Sequence, residues 1–100
     1  MSENKKILIT GASGGIGSSI CEKFKKKNFT LILTSSSDEK IEILKNHYGD
    51  KNYYYKVDLS NPDLLQDNLN EISKSHKDIS VIVNNAGVNY DSLILRMNFE

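Results

Sequence analysis

The chain has 100 residues, 38% of them hydrophobic, which is enough for one small domain with a limited core. Its 13 basic and 13 acidic residues cancel, so the composition indicates neither a nucleic-acid partner nor attraction to an anionic membrane. A polar start that leads directly into an apolar strand leaves no room for a signal peptide, and no apolar run approaches the roughly 18 residues of a membrane span. We therefore expect a cytoplasmic protein.

Short apolar runs alternate with longer stretches of helical period, a pattern typical of parallel strands joined by crossover helices. The first run is Lys6–Thr10, whose apolar residues Ile7, Leu8 and Ile9 are consecutive rather than alternating, as expected for a strand covered on both faces. A helix follows that ends near Lys27 and Asn28, with an apolar stripe formed by Ile16, Ile20 and Phe24. Thr30–Thr34 is the second predicted strand.

The second half of the chain continues this alternation. The pattern from Ser36 to Glu39 has the form of a capping box, so Ser36 or Ser37 is expected to cap the next helix, which ends at Gly49. Tyr53–Val57 is the third predicted strand. The next helix has Pro62 in its first turn after an Asn61 cap, and its predicted buried stripe is Leu65, Leu69 and Ile72. The fourth strand is Ile79–Val83, and a further helix opens at Ser92–Met97.

Right-handed crossovers between these elements give an α/β fold, a Rossmann-type doubly wound parallel sheet with strand order 3-2-1-4. About four strands make this a partial sheet, so residues 1–100 are expected to be the N-terminal part of a single dinucleotide-binding domain. Ligands of such sheets bind at the carboxyl ends of the strands. We therefore expect the chemistry at four places: Thr10–Gly17, Thr34–Ser36, Asp58–Leu59 and Asn84–Gly87.

The segment Thr10–Gly17 joins the first strand to the first helix and spaces three glycines as G-x-x-x-G-x-G. Glycine permits positive φ and removes the Cβ that would keep a diphosphate away from backbone N–H groups. The partial positive charge of a helix N-terminus also suits a diphosphate. A Walker phosphate loop would need Gly-Lys-Ser/Thr at its end, whereas Ser18 follows Gly17, so nucleotide hydrolysis is not expected.

These residues resemble the short-chain dehydrogenase/reductase family. Its T-G-x-x-x-G-x-G motif is matched here, as are its aspartate after the third strand, by Asp58, and its N-N-A-G motif after the fourth, by residues 84–87. In that family, these segments line the site of a nicotinamide cofactor. The predicted cofactor-binding residues, which come from the resemblance and from the glycine-loop and charge arguments, are Gly11, Ala12, Ser13, Gly14, Gly15, Ile16, Gly17, Ser36, Asp58, Leu59, Asn85, Ala86 and Gly87.

The residues after the N-N-A-G stretch, Val88–Met97, resemble the 3-oxoacyl-[acyl-carrier-protein] reductases of that family. The resemblance implies NADPH-dependent reduction of a substrate carried on acyl carrier protein, in fatty acid biosynthesis, by a homotetramer. Two alternatives stay open. One is another short-chain dehydrogenase that acts on a sugar, a sterol or a small alcohol, and the other is a non-catalytic nucleotide-binding module.

Charge favours NADPH as the cofactor. NAD-specific sites carry an acidic residue at the end of the second strand, where this chain has Thr34–Ser37. A carboxylate about 4 Å from the 2′-phosphate would cost roughly 4 kcal/mol at an effective dielectric constant of 20. The hydroxyl of Ser36, with those of Thr34 and Ser35, can donate to that phosphate. Two features of the sequence oppose NADPH. Many NADPH-dependent relatives have an arginine where this chain has Gly14, so the most direct cationic partner of the 2′-phosphate is missing, and the acidic residues Asp38 and Glu39 lie close by.

Catalytic residues are not predicted within this chain. The family's Tyr-x-x-x-Lys motif, whose tyrosine protonates the substrate oxygen, has no match among the five tyrosines, so the catalytic half is expected after Glu100. We expect His47 and His76 to be solvent-exposed polar residues and Cys21 to be a small structural helix residue. No Cys/His cluster has metal-ligand spacing, and no metal is predicted.

Overall fold

The computed structural model describes residues 5–57 and 62–84. Strands and helices alternate in the order β1 (Lys6–Thr10), α1 (Gly15–Lys26), β2 (Thr30–Ser35), α2 (Asp38–Tyr48), β3 (Tyr53–Lys56), α3 (Pro62–Ser75) and β4 (Ile79–Asn84). The four strands form one parallel sheet in the order β3-β2-β1-β4. The predicted Rossmann-type α/β fold is therefore confirmed, together with its strand order. Every helix within the described residues is too short or too polar to span a lipid bilayer.

The two central strands, β1 and β2, are buried on both faces, which explains why each has consecutive apolar residues instead of an alternation of apolar and polar ones. Successive side chains of a strand point to opposite faces of the sheet. Ile7 and Ile9 accordingly pack with residues of α1 and α2, while Leu8 packs with residues of α3. The buried stripe of α3 is the predicted one, formed by Leu65, Leu69 and Ile72. Helices thus cover both faces of the sheet and leave its carboxyl edge to the loops.

The apolar stripe of α1 differs from the prediction at Ile16, whereas Ile20 and Phe24 pack against the core as predicted. Ile16 is 71% exposed, whereas Gly17 and Cys21 are buried and Phe24 is partly buried against the same cluster. The side of α1 that faces the sheet begins at Gly17, and a residue without a side chain there lets the helix lie close to the strands. Cys21 is a structural residue, as predicted, and burial raises the pKa of its thiol to about 11.

The start of α2 decides between the two serines that were predicted as its cap. Its N-cap is Ser37 rather than Ser36, and the Ser37 hydroxyl accepts a hydrogen bond from the Lys40 N–H at 3.2 Å. The helix ends where predicted, since Gly49 has a φ of 86° and its N–H donates to the Lys45 carbonyl at 2.9 Å. The strand β2 extends to Ser35, one residue beyond its predicted end.

The prediction for His76 is wrong, because this residue is buried with only 3% of its surface exposed. It lies at the amino edge of the sheet, where its Nδ1 is 3.4 Å from Lys6 Nζ and its Nε2 is 2.7 Å from the Tyr55 hydroxyl. A lysine ammonium only donates, so Nδ1 accepts and the ring proton of the neutral imidazole lies on Nε2. Sequence patterns place a residue after a helix at the surface, but here two tyrosines of β3 cover it, Tyr53 at 4.3 Å and Tyr55 at 5.8 Å between ring centroids.

The central position of Leu8 predicts a large cost for its truncation. Leu8 is fully buried, so Leu8→Ala should lower the free energy of unfolding by about 2 to 5 kcal/mol through lost burial and the cavity left behind. Leu64→Ala is the matched control, because Leu64 is 45% exposed and its truncation should cost less than about 1 kcal/mol. Urea denaturation measures both variants, and equal losses would contradict the assigned packing.

The contacts of His76 predict a pH dependence of stability. Burial, followed by the Lys6 charge, lowers the pKa of His76, while Asp78 opposes the shift. A lowered pKa means that the folded state favours the neutral ring, so its contribution is intact above the ordinary pKa of about 6.5 and is lost as the pH falls through the lowered value. Urea denaturation of the wild type should show a steeper loss of stability below about pH 6.5 than His76→Gln does. Parallel curves for the two proteins would refute this.

Candidate functional site

The glycine loop is fixed to the end of β2 by two backbone donors. The Gly11 N–H donates to Thr34 Oγ1 at 3.3 Å, and the Ala12 N–H donates to the Thr34 carbonyl at 3.0 Å. Gly11 has a φ of 63°, a conformation that favours glycine, and this turn directs the chain away from β1. Thr34 therefore holds the loop in place, while Ala12 is fully buried and its N–H is committed to the sheet.

The N-terminus of α1 has no cap from a side chain. Its N-cap residue is Gly14, and its first turn contains no acidic residue. The N–H groups of a first turn, here those of Gly15, Ile16 and Gly17, have no carbonyl partner within their helix. The start of α2 is the opposite case, since it has the Ser37 cap and two acidic residues in its first turn. Of these two helix starts, only that of α1 is left open for an external anion.

The loop and the end of β2 also meet through their serines. Ser13 Oγ lies 3.1 Å from Ser35 Oγ, and Ser35 is buried whereas Ser13 is exposed. Ser36, the residue predicted to contact the cofactor, is exposed just beyond the end of β2. The contact between Ser13 and Ser35 therefore joins the loop that leads into α1 to the end of β2, and serine hydroxyls can donate to an anion.

A cavity of about 550 Å³ extends from the glycine loop along the groove between α1 and α2. Ala12 and Ser13 of the glycine loop line one end of the cavity, near the start of α2 with Lys40. Farther along the two helices it is lined by Glu22 and His47, whose Oε2 and Nε2 atoms are 3.0 Å apart. The hydrogen bond from His47, which is exposed as predicted, holds the pKa of Glu22 below its usual range.

The described residues hold the glycine-loop part of the predicted site. Gly11 to Gly17 and Ser36 follow β1 and β2, which are neighbouring parallel strands, so both segments lie at the carboxyl edge of the sheet. The predictions for Asp58, Leu59, Asn85, Ala86 and Gly87 lie outside the described residues. Within residues 5–57 and 62–84, no group of three or more His, Cys, Asp or Glu side chains could hold a metal ion.

Lys40 is the residue of this region that the sequence analysis overlooked. The signal was present, because Lys40 precedes the buried Leu44 by four residues and so lies on the same side of α2. In the sequence, Lys40 directly follows a run of serines and the acidic pair Asp38 and Glu39, so the local composition indicates hydroxyl and acidic groups rather than a cation.

Comparisons with known proteins agree with this arrangement. The sequence profile of the short chain dehydrogenase family matches residues 5–100. The chain is 32% identical over 98 residues to the 3-oxoacyl-[acyl-carrier-protein] reductase FabG of Haemophilus influenzae, covering 98% of this chain and 40% of that protein. It is 34% identical to FabG of Aquifex aeolicus, covering 96% of this chain and 40% of the relative.

A solved structure gives the same result for the fold. A metagenomic short-chain oxidoreductase in complex with NADP superimposes with a TM-score of 0.71 at 30% identity, covering 84% of this chain and 39% of that one. The chain thus spans about two fifths of the length of the curated relatives that it matches. With its profile, its strand order and its glycine loop in agreement, the chain belongs to the short chain dehydrogenase family of oxidoreductases.

Proposed function

We propose that this chain is the NADPH-binding part of an enzyme that reduces 3-oxoacyl groups carried on acyl carrier protein. When bound, the cofactor supplies a hydride, and the residues described here hold and orient it. The observation that carries the proposal is the open N-terminus of α1, which has a glycine N-cap, no acidic residue in its first turn, and a position at the carboxyl edge of the sheet. A diphosphate fits such a terminus because backbone donors and the helix dipole converge on it.

The residues around this terminus suit the other parts of the cofactor. We propose that the N–H groups of Gly15, Ile16 and Gly17 bind the diphosphate, while Gly11 and Ala12 set the shape of the turn. Asp58 and Leu59, together with Asn85, Ala86 and Gly87, are proposed to contact the adenosine, as the matching segments do in the family. The serines at the end of β2 put hydroxyl donors there in place of a carboxylate, and this supports a preference for NADPH.

The identity of the substrate is supported by the relatives. FabG of Haemophilus influenzae is named as a 3-oxoacyl-[acyl-carrier-protein] reductase. We extend that activity to the protein from which this chain comes, together with a role in fatty acid biosynthesis, a cytoplasmic location and a homotetrameric assembly. The family's Tyr-x-x-x-Lys motif, whose tyrosine protonates the substrate oxygen, has no match within residues 1–100.

A charge introduced at Gly15 tests the diphosphate site. A Cβ at Gly15 would meet no atom within 4 Å, so the fold accommodates a side chain there. Gly15→Asp places a carboxylate at the helix N-terminus, where it satisfies the same donors and repels phosphate, and should weaken NADPH binding at least about tenfold. Gly15→Ala separates charge from bulk: its Cβ alone keeps the diphosphate farther from the N–H groups, so it should weaken binding less than Gly15→Asp does. Fluorescence titration measures both, and unchanged binding by Gly15→Asp would contradict the assigned diphosphate position.

Substrate class needs a separate measurement on the protein encoded by the whole reading frame. An acetoacetyl thioester of acyl carrier protein should oxidise NADPH rapidly, whereas the reduction of NADP⁺ by sugars, sterols or small alcohols should be slow. Turnover of one of those alcohols alone would replace the proposed substrate. Binding of NADPH without turnover of any of these compounds would favour a non-catalytic nucleotide-binding module.

A further inference from the structure

We propose that Lys40 supplies the cation that recognises the 2′-phosphate of NADPH, and so makes this site select NADPH over NADH. The inference rests on the proposed cofactor site and assigns a specificity-determining residue to it. The cavity beside the glycine loop carries the argument, because Lys40 lines it together with Ala12 and Ser13. A cation and the loop that holds the diphosphate thus border the same space.

The position of Lys40 follows from its place in α2. Ser37 caps the helix and fixes the Lys40 N–H at 3.2 Å, so the first turn is well defined around this residue. Lys40, Leu44 and His47 recur at helical spacing and all line the cavity between α1 and α2. The exposed ammonium group has a flexible four-carbon stem, with which it can reach an anion at the mouth of the cavity.

The surrounding charges leave Lys40 available for such a role. Three carboxylates of α1 and α2 have partners of their own: Asp38 pairs with Lys56 Nζ at 3.4 Å, Glu22 with His47 at 3.0 Å, and Glu42 with Lys45 at 3.6 Å. Glu39, in the first turn of α2, is exposed to solvent. Lys40 forms no ion pair with any residue in the described part of the chain. Lys56 also offsets the charge of Asp38, the acidic residue closest in sequence to the serines of β2.

The position of Gly14 offers a way to test the role of the charge independently of Lys40. Gly14 has a φ of −79°, which any residue adopts, and a Cβ there would meet only the Gly11 carbonyl oxygen, at an ordinary 3.8 Å. An arginine at this position therefore fits the loop and places a second cation beside the same space. If a single cation is what selects NADPH, an arginine at this position can replace Lys40.

The test compares NADPH and NADH affinities by fluorescence titration of the protein encoded by the whole reading frame. Lys40→Gln should weaken NADPH binding about tenfold and leave NADH binding within about twofold, since NADH lacks the 2′-phosphate. Gly14→Arg added to Lys40→Gln should restore most of the NADPH affinity. Lys45→Gln is the matched control, because Lys45 is an exposed lysine of the same helix that pairs with Glu42, and it should leave both affinities unchanged.

The outcomes separate this inference from the function on which it rests. If the wild type prefers NADPH and Lys40→Gln keeps that preference, the assignment of Lys40 is wrong and the cofactor site stands. If the wild type binds both nucleotides equally or prefers NADH, the assignment of Lys40 is also overturned, although a nicotinamide site remains. If neither nucleotide binds to the folded protein, the proposed function fails and the inference fails with it.

Discussion

The attachment of the glycine loop to Thr34 is the contact on which the rest of the site depends. The first two residues after β1, Gly11 and Ala12, donate their backbone N–H groups to Thr34 at the end of β2. Its hydroxyl and its carbonyl oxygen are the two acceptors. Both strand ends are buried, so these donors would be costly to leave without partners. Because the loop is held there, α1 starts above the carboxyl edge of the sheet and directs its N-terminus toward the open space beside it.

The two helices on one face of the sheet, α1 and α2, differ in how their N-termini are capped. The start of α1 has neither a side-chain cap nor an acidic residue, and is suited to an anion. The start of α2 has both, which stabilises the helix from within and leaves Lys40 as a cation that faces the groove. In the proposed complex, the backbone donors of α1 bind the diphosphate and the Lys40 ammonium binds the third phosphate.

The fold could be predicted from the sequence because it depends on two patterns of apolar residues: consecutive ones in the buried strands and helically spaced ones in the helices. The strand Lys6–Thr10 was predicted with its observed bounds, and the buried stripe of α3 was predicted residue by residue. The glycine spacing predicted the loop, because two of its positions favour glycine. Gly11 has a positive φ, and Gly17 is buried where α1 lies close to the strands.

The predictions that failed concern contacts between elements distant in sequence. A four-residue period placed Ile16 in the core, but the glycine one position later is the residue that faces the strands. His76 follows a helix and would be exposed there, were it not covered by tyrosines of β3 more than twenty positions earlier. The pairing of Asp38 with Lys56 likewise joins separate elements, so the sequence showed only an acidic residue where the structure shows an ion pair.

The most direct measurement is the response of individual backbone amides to the cofactor, followed by ¹H–¹⁵N correlation spectra during addition of NADPH. The amide resonances of Gly15, Ile16 and Gly17 should move the most and should move together, while those at the carboxyl end of α2 stay in place. Shifts confined to other parts of the chain, or none at saturating NADPH, would contradict the account of α1 as the diphosphate-binding helix.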